Sequence, residues 1–237
     1  MRKKKRKYKK RHDKITVAFD IAETLNLSDP YELTMVACCC ALNDLTQVHK
    51  ELIKRSSTNK DNDYKWFLLK IAIAQLREAY WFINQSFVKD KALGSRILEI
   101  PKTKELLDRI IVQVDGSDEQ SFAFIVLRKL RHIIFHYGFK DRDIILQIAD
   151  EMHTENIPGM IVLGNKKPDN YYQFADDLLL NVVLKYGEDY GLTFNELLDK
   201  MGNLTAQVIE LLDVIVAAFI LSKKNIAEQI EKGLSNN

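Results

Sequence analysis

The chain has 237 residues, 46% of them hydrophobic and 29% charged, ordinary globular material for one large domain or two small ones. Only 9 Gly and 4 Pro punctuate it, a scarcity that argues for long regular elements, helices above all. The net charge of +2 is unevenly distributed: residues 1–14, MRKKKRKYKKRHDK, carry ten Lys/Arg against one Asp, a local +9, and the rest of the chain is acidic.

That basic segment predicts a disordered tail over 1–14, drawn to polyanions such as nucleic acid or an acidic membrane surface. Behind it, ITVAFDIAETLNL is interrupted by Asp20 and Glu23 and so is not a secretory core. A helix is predicted over about 14–26. Asp29-Pro30 with Glu32 supplies a cap, a first-turn proline and an acid reaching back, which starts a helix over about 30–56. Within it Cys38, Cys39 and Cys40 are consecutive. Successive helical positions turn by about 100°, so the three cannot converge on one metal ion; they read as small buried residues of a reducing, cytoplasmic protein.

Further helices are predicted over about 63–90, 103–114, 118–137, 140–152, 169–187 and 193–232. Ser117 with Gln120 and Thr193 with Glu196 fit the capping-box spacing. NIPGMIVLGNKKPDN is the main loop, with a short extended piece at Met160 to Leu163. In the last helix Leu197, Met201, Leu204, Val208, Leu211 and Ile215 advance in steps of three and four. Its most apolar run, LLDVIVAAFIL from Leu211 to Leu221, contains Asp213 and falls short of the roughly 20 residues a bilayer requires, so no transmembrane segment is expected. The fold class is all-α: a helical bundle forming a single domain over 15–237, with a long C-terminal helix.

One helix carries chemistry. In the helix over 118–137, Phe122, Val126, Leu130, Ile133 and Tyr137 make a core stripe, while Arg128, Lys129, Arg131 and His132 occupy the opposite arc with no acid among them. A solvated face usually mixes signs, so this arc suits an anionic partner. Phe124 and Phe135 lie inside the same arc, beside Arg131, and need a cover: another helix, a second protomer or stacked bases. His132 and His136 are four apart, but Ile133 stands where the zinc hydrolase motif needs Glu, and no metal is assigned. Arg131 and His136 are separated by about 7.5 Å along the helix and about 140° around it, so only a long Arg leaning into a groove brings them together. Gly138 is placed to end the helix just beyond His136, where the carbonyl end favours an imidazolium.

Arg, a polar residue, three more residues and then His, here RHIIFH from Arg131 to His136, resembles the signature of the HEPN superfamily, helical ribonuclease-type domains of toxin-antitoxin, abortive-infection and CRISPR systems. LRKLRHIIFHY and QLREAYWFI, Gln75 to Ile83, add to the likeness, which covers about residues 30–190; the basic tail and the C-terminal helix lie outside it. Tyr137 follows His136 directly and Phe139 takes the second place, where the nucleotidyltransferase-linked members carry Tyr. The resemblance implies a cofactor-free, metal-independent endoribonuclease acting on RNA as a homodimer, in bacterial defence or as a toxin, with an antitoxin or defence-system protein as partner. It implies Arg131, His136 and His132 as catalytic residues and Arg128, Lys129 and Phe135 as RNA-binding ones. The alternative is a non-catalytic helical interaction or RNA-binding module, in which Arg131 and His136 bond to acids of neighbouring helices such as Glu78 or Asp176.

Overall fold

The structure is a computed structural model that describes residues 16–56, 62–114, 131, 142–161, 173–189, 191 and 193–235. These residues form an all-α bundle, with no strand among them. In chain order the helices are α1 (Ile21–Thr24), α2 (Pro30–Ser56), α3 (Asn62–Ile83), a π-helical turn (Asn84–Lys89), α4 (Lys91–Leu98), α5 (Thr103–Val114), α6 (Arg142–Thr154), α7 (Gln173–Asp189), α8 (Phe194–Ser222) and α9 (Lys224–Ser235).

The centre of the bundle is α8. All six apolar residues that share its predicted stripe, from Leu197 to Ile215, are buried, and α8 packs against α2, α5, α3, α7 and α9. Its start is the predicted capping box: Glu196 N donates to Thr193 Oγ1, and the Glu196 carboxylate accepts from Thr193 N at 2.8 Å. Buried Thr205 donates its hydroxyl to the Met201 carbonyl at 2.8 Å, which removes the cost of placing it in the core. α2 lays Met35, Cys38, Leu45 and Val48 against this helix, and α3 adds Leu69, Ile73, Leu76 and Ile83. One continuous apolar cluster results, running from Met35 in α2 to Phe219 in α8.

Three of the expected helices have different limits, and α4 is an additional helix. The first helix is one short turn, because Asp20 accepts from Glu23 N at 3.0 Å and so fixes the start at Ile21. The helix expected over 63–90 stops at Ile83 and widens into the π-turn, closed by Asp90 N donating to Gln85 O at 3.1 Å. Asp90 then caps α4, accepting from Ala92 N and Leu93 N at 3.0 Å. Gly94 lets α4 fold back on that turn: a Cβ there would lie 2.4 Å from the Phe87 carbonyl oxygen. The C-terminal helix expected over 193–232 breaks at Lys223, whose backbone is extended and whose ammonium is held by Glu32 at 2.6 Å. Met160 and Ile161, the described part of the expected extended piece, lie in an irregular segment.

The Pro30 start works as the sequence implies, with one change of partner. Asp29 Oδ1 accepts from Tyr31 N at 2.9 Å, and the Glu32 carboxylate reaches six residues back to Asn26 N at 2.8 Å. Among the described residues one helix, Glu196–Ser222, is long and apolar enough to cross a membrane by length and composition. The run from Leu211 to Leu221 is thus part of a longer apolar helix, one face of which lies in the core.

Candidate functional site

Of the motif RHIIFH, Arg131 is described and is helical. Arg128, Lys129, His132, Phe135 and His136 lie outside the described residues, as do Phe124, Tyr137, Gly138, Ser117 and Gln120. The site is therefore built from Arg131 and from the helix it meets.

That helix is α3. Its inward residues, Leu69, Ala72, Ile73, Leu76, Ala79, Tyr80 and Ile83, are buried in the core, so the residues between them are forced outward. Glu78 is one of these. Its Oε1 accepts from Arg131 Nη2 at 2.8 Å, and the two side chains remain 56% and 41% exposed. This bond uses one of the five N–H donors of a guanidinium. Trp81 follows Glu78 by three positions, on the same strip of the helix surface, and is 53% exposed. A cation, a carboxylate and an indole thus occupy the outer face of α3.

Further along that helix the charges are engaged more tightly. Lys70 Nζ sits 2.7 Å from Asp176 Oδ1 and 5.5 Å from the centroid of the Trp66 ring, which ties α3 to α7. Lys185 Nζ reaches Glu151 Oε1 at 2.6 Å and ties α7 to α6. The Lys185 hydrogen bond, followed by that from Gln147, holds the Glu151 carboxyl below the usual carboxylate range. Both acids named in the non-catalytic reading are in ion pairs, Glu78 with Arg131 and Asp176 with Lys70. The Arg131 pair is exposed, however, where a purely structural pair is expected to be buried and satisfied.

One face of α6, with Asp143, Asp150 and Glu151, lines an open depression together with Glu155 just beyond the helix end. Four carboxylates there repel a phosphate backbone, so the depression does not extend the Arg131 surface. Among the described residues no three His, Cys, Asp or Glu side chains converge on a metal position. The cysteines, expected to be buried, are so only at Cys38: Cys39 is partly buried and Cys40 exposed, because consecutive helical positions turn away from one face. Burial, with a smaller contribution from Cys39, pushes the Cys38 thiol well above its ordinary range.

Trp81, within QLREAYWFI, is a residue of this face that the sequence reading misses. The signal was available: it lies three residues from Glu78, off the stripe of Leu76, Tyr80 and Ile83. Comparison with known proteins identifies no relative: no protein-family model, no curated protein and no solved structure matches the chain.

Proposed function

We propose that the chain is a metal-independent endoribonuclease of the HEPN type, whose reactive pair is Arg131 and His136. The observation that supports this reading is the exposed Arg131 guanidinium, steadied by Glu78 next to the exposed indole of Trp81. A guanidinium that spends one donor on a carboxylate keeps others for a phosphate, and an indole face offers a base a stacking surface.

In this reading His136 takes the proton from a ribose 2′-hydroxyl as the 2′-oxygen attacks the adjacent phosphorus. An imidazole with an ordinary pKa near ~6.5 suits that task at neutral pH. Arg131 binds the scissile phosphate and offsets the charge that builds on its oxygens. The 5′-oxygen leaves with a proton from an imidazolium, giving a 2′,3′-cyclic phosphate and a 5′-hydroxyl. His132 orients the pair, Arg128 and Lys129 follow the backbone, and Phe135 packs a base or the seam of a homodimer.

The test is cleavage of a structured RNA by the purified protein in excess chelator. His136→Ala and Arg131→Ala should each abolish it. Wild-type rates from both variants would remove the assignment. Light scattering at micromolar concentration should report a dimer; a strict monomer would leave Phe124 and Phe135 without the seam this reading gives them.

The second reading, a non-catalytic helical interaction or RNA-binding module, is favoured by the Glu78 bond itself, which gives Arg131 a partner within its own chain. Under it the protein binds RNA or a partner protein without cutting. Glu78→Gln then separates the two readings: it weakens a docking surface built on the pair, whereas the nuclease retains measurable cleavage because Arg131 still meets phosphate.

A further inference from the structure

The two tryptophans of the chain lie on one helix, α3, in opposite surroundings. Trp66 is 3% exposed, and Lys70 Nζ lies 5.5 Å from its ring centroid. Trp81 is 53% exposed, and among the described residues no ring or cation packs against it. The core makes no use of this indole, because Tyr80 and Ile83 on either side of it supply the buried face there. Long side chains on a helix lean back toward the preceding turn, so Trp81 is directed at the turn that carries Glu78.

Glu78 has bonding capacity left. A carboxylate accepts at about four lone-pair positions and donates at none, and among the described residues its one partner is Arg131 Nη2 at 2.8 Å. A ligand for this strip therefore needs a flat π face for the indole, donors for the carboxylate and an anionic group for the remaining guanidinium donors. An unpaired nucleotide has all three, and the four bases differ in what they show a carboxylate. On its Watson–Crick edge guanine presents two adjacent donors, N1–H and the N2 amino group. Adenine and cytosine present an amino group beside a bare ring nitrogen, and uracil one N–H between two carbonyl oxygens, so each of these sets a lone pair against Glu78. In a duplex both guanine donors are already spent on cytosine.

We propose that Glu78 and Trp81 form a recognition subsite for an unpaired guanine of RNA. The base stacks on the indole and donates N1–H and one N2–H to the Glu78 carboxylate, while Arg131 holds a phosphate of the same strand. The inference rests on the proposed nuclease reading and gives it a substrate class, RNA with guanine in loops or single strands. Glu78 and Trp81 determine specificity by touching the base and take no part in proton transfer. Every base has a π face, so Trp81 supplies affinity for all four and the preference among them comes from Glu78.

Titration of the full chain with the four nucleoside 3′-monophosphates tests it. These probes have no 5′-oxygen leaving group on the phosphate, so binding is read apart from cleavage. Guanosine 3′-monophosphate should quench the fluorescence of the exposed indole and bind about tenfold more tightly than the other three, because a site built for two donors rejects a base that lacks them. Glu78→Gln, whose amide pairs one donor with one acceptor, should bring adenosine and guanosine 3′-monophosphates to within about twofold of each other. Trp81→Leu should weaken all four by about tenfold and remove the quenching. Both side chains are exposed, so the urea midpoint of each variant should stay at the wild-type value. Equal or undetectable binding of the four probes, a preference retained in Glu78→Gln, or a Trp81→Leu variant that binds like wild type overturns the proposal. Cleavage of RNA by a protein without guanine preference in these titrations overturns the subsite and leaves the nuclease reading standing. Guanosine-selective binding by a protein that does not cut supports the subsite and removes the nuclease.

Discussion

Two ion pairs of the same chemistry sit in different regions of the bundle. Glu32 with Lys223 and Glu78 with Arg131 are both carboxylate–cation pairs with short bonds, 2.6 Å and 2.8 Å. The first has side chains 15% and 16% exposed, and its carboxylate also accepts from the Asn26 amide. The second is 56% and 41% exposed, and among the described residues no backbone amide bonds its carboxylate. Burial and the number of partners, more than the pairing itself, decide what an ion pair contributes. The first closes the end of the bundle, joining the start of α2 to the end of α8. The second leaves a guanidinium near solvent, where removing it disturbs little and where it can meet a ligand.

The comparison breaks most visibly if the packed end turns out to be soft. Phe219 is buried beneath the Glu32–Lys223 pair, with its ring 6.2 Å from that of Tyr31 in an edge arrangement and 5.1 Å from Lys223 Nζ. Phe219→Ala should cost about 3–5 kcal/mol of unfolding free energy, read from urea denaturation. A loss under about 1 kcal/mol would mean that this end is not part of the cooperative core.

A glycine provides the next test. In an exposed helix Gly→Ala stabilises by about 1 kcal/mol. Gly94 is buried, and a Cβ there meets the Phe87 carbonyl oxygen of the π-turn at 2.4 Å. Backbone atoms cannot rotate away as a side chain does, so Gly94→Ala should destabilise by about 1–3 kcal/mol. An unchanged or raised unfolding temperature would show that α4 does not fold back on the turn.

The acid limb of the stability profile tests the electrostatics of the same end. The Lys223 hydrogen bond, followed by the Asn26 amide, holds the Glu32 carboxyl below its ordinary value. A depressed carboxylate stabilises the fold above its unfolded pKa, about 4.3, and that contribution is lost as pH falls through the lower folded value. Wild type should therefore lose unfolding temperature more steeply below pH 4.3 than Glu32→Gln, whose neutral amide has nothing to titrate. Parallel acid limbs would remove Glu32 from the list of stabilising carboxylates.

Local signals account for what was legible in the sequence. The α8 stripe, the Thr193 capping box and the Asp29-Pro30 start depend on residues within a few positions of one another; the first two form as read, and the third forms with Glu32 reaching back to Asn26. The failures are long-range or need an unusual backbone. Lys223 leaves the helix toward Glu32, 191 residues away in sequence, and nothing local in FILSKKNIAE marks the break. The π-turn inserts an extra residue per turn in a continuous apolar pattern, so the period alone carries the helix reading through to residue 90. Asp90 was a visible N-cap, but an Asp beside Lys89 and Lys91 also suits an exposed helix face. At the candidate site, the sequence supplied Glu78 as a possible partner of Arg131, while the exposure of the pair and the position of Trp81 depend on which face of α3 the core claims.

The smallest expected effect on stability belongs to the exposed pair, and it is informative because it is small. An ion pair this open gains little from Coulomb attraction in water and gives back side-chain entropy when released, so a double-mutant cycle of Arg131→Ala with Glu78→Ala should return a coupling of about 0–1 kcal/mol, shrinking as salt is raised. Arg131→Ala alone should then unfold at nearly the wild-type urea midpoint. If the same variant no longer cuts RNA, its loss of activity cannot be charged to a damaged fold, and the guanidinium is assigned to the reaction. A coupling above about 2 kcal/mol, insensitive to salt, would instead make the pair a structural tie like Glu32 with Lys223, and the distinction between the two regions would collapse.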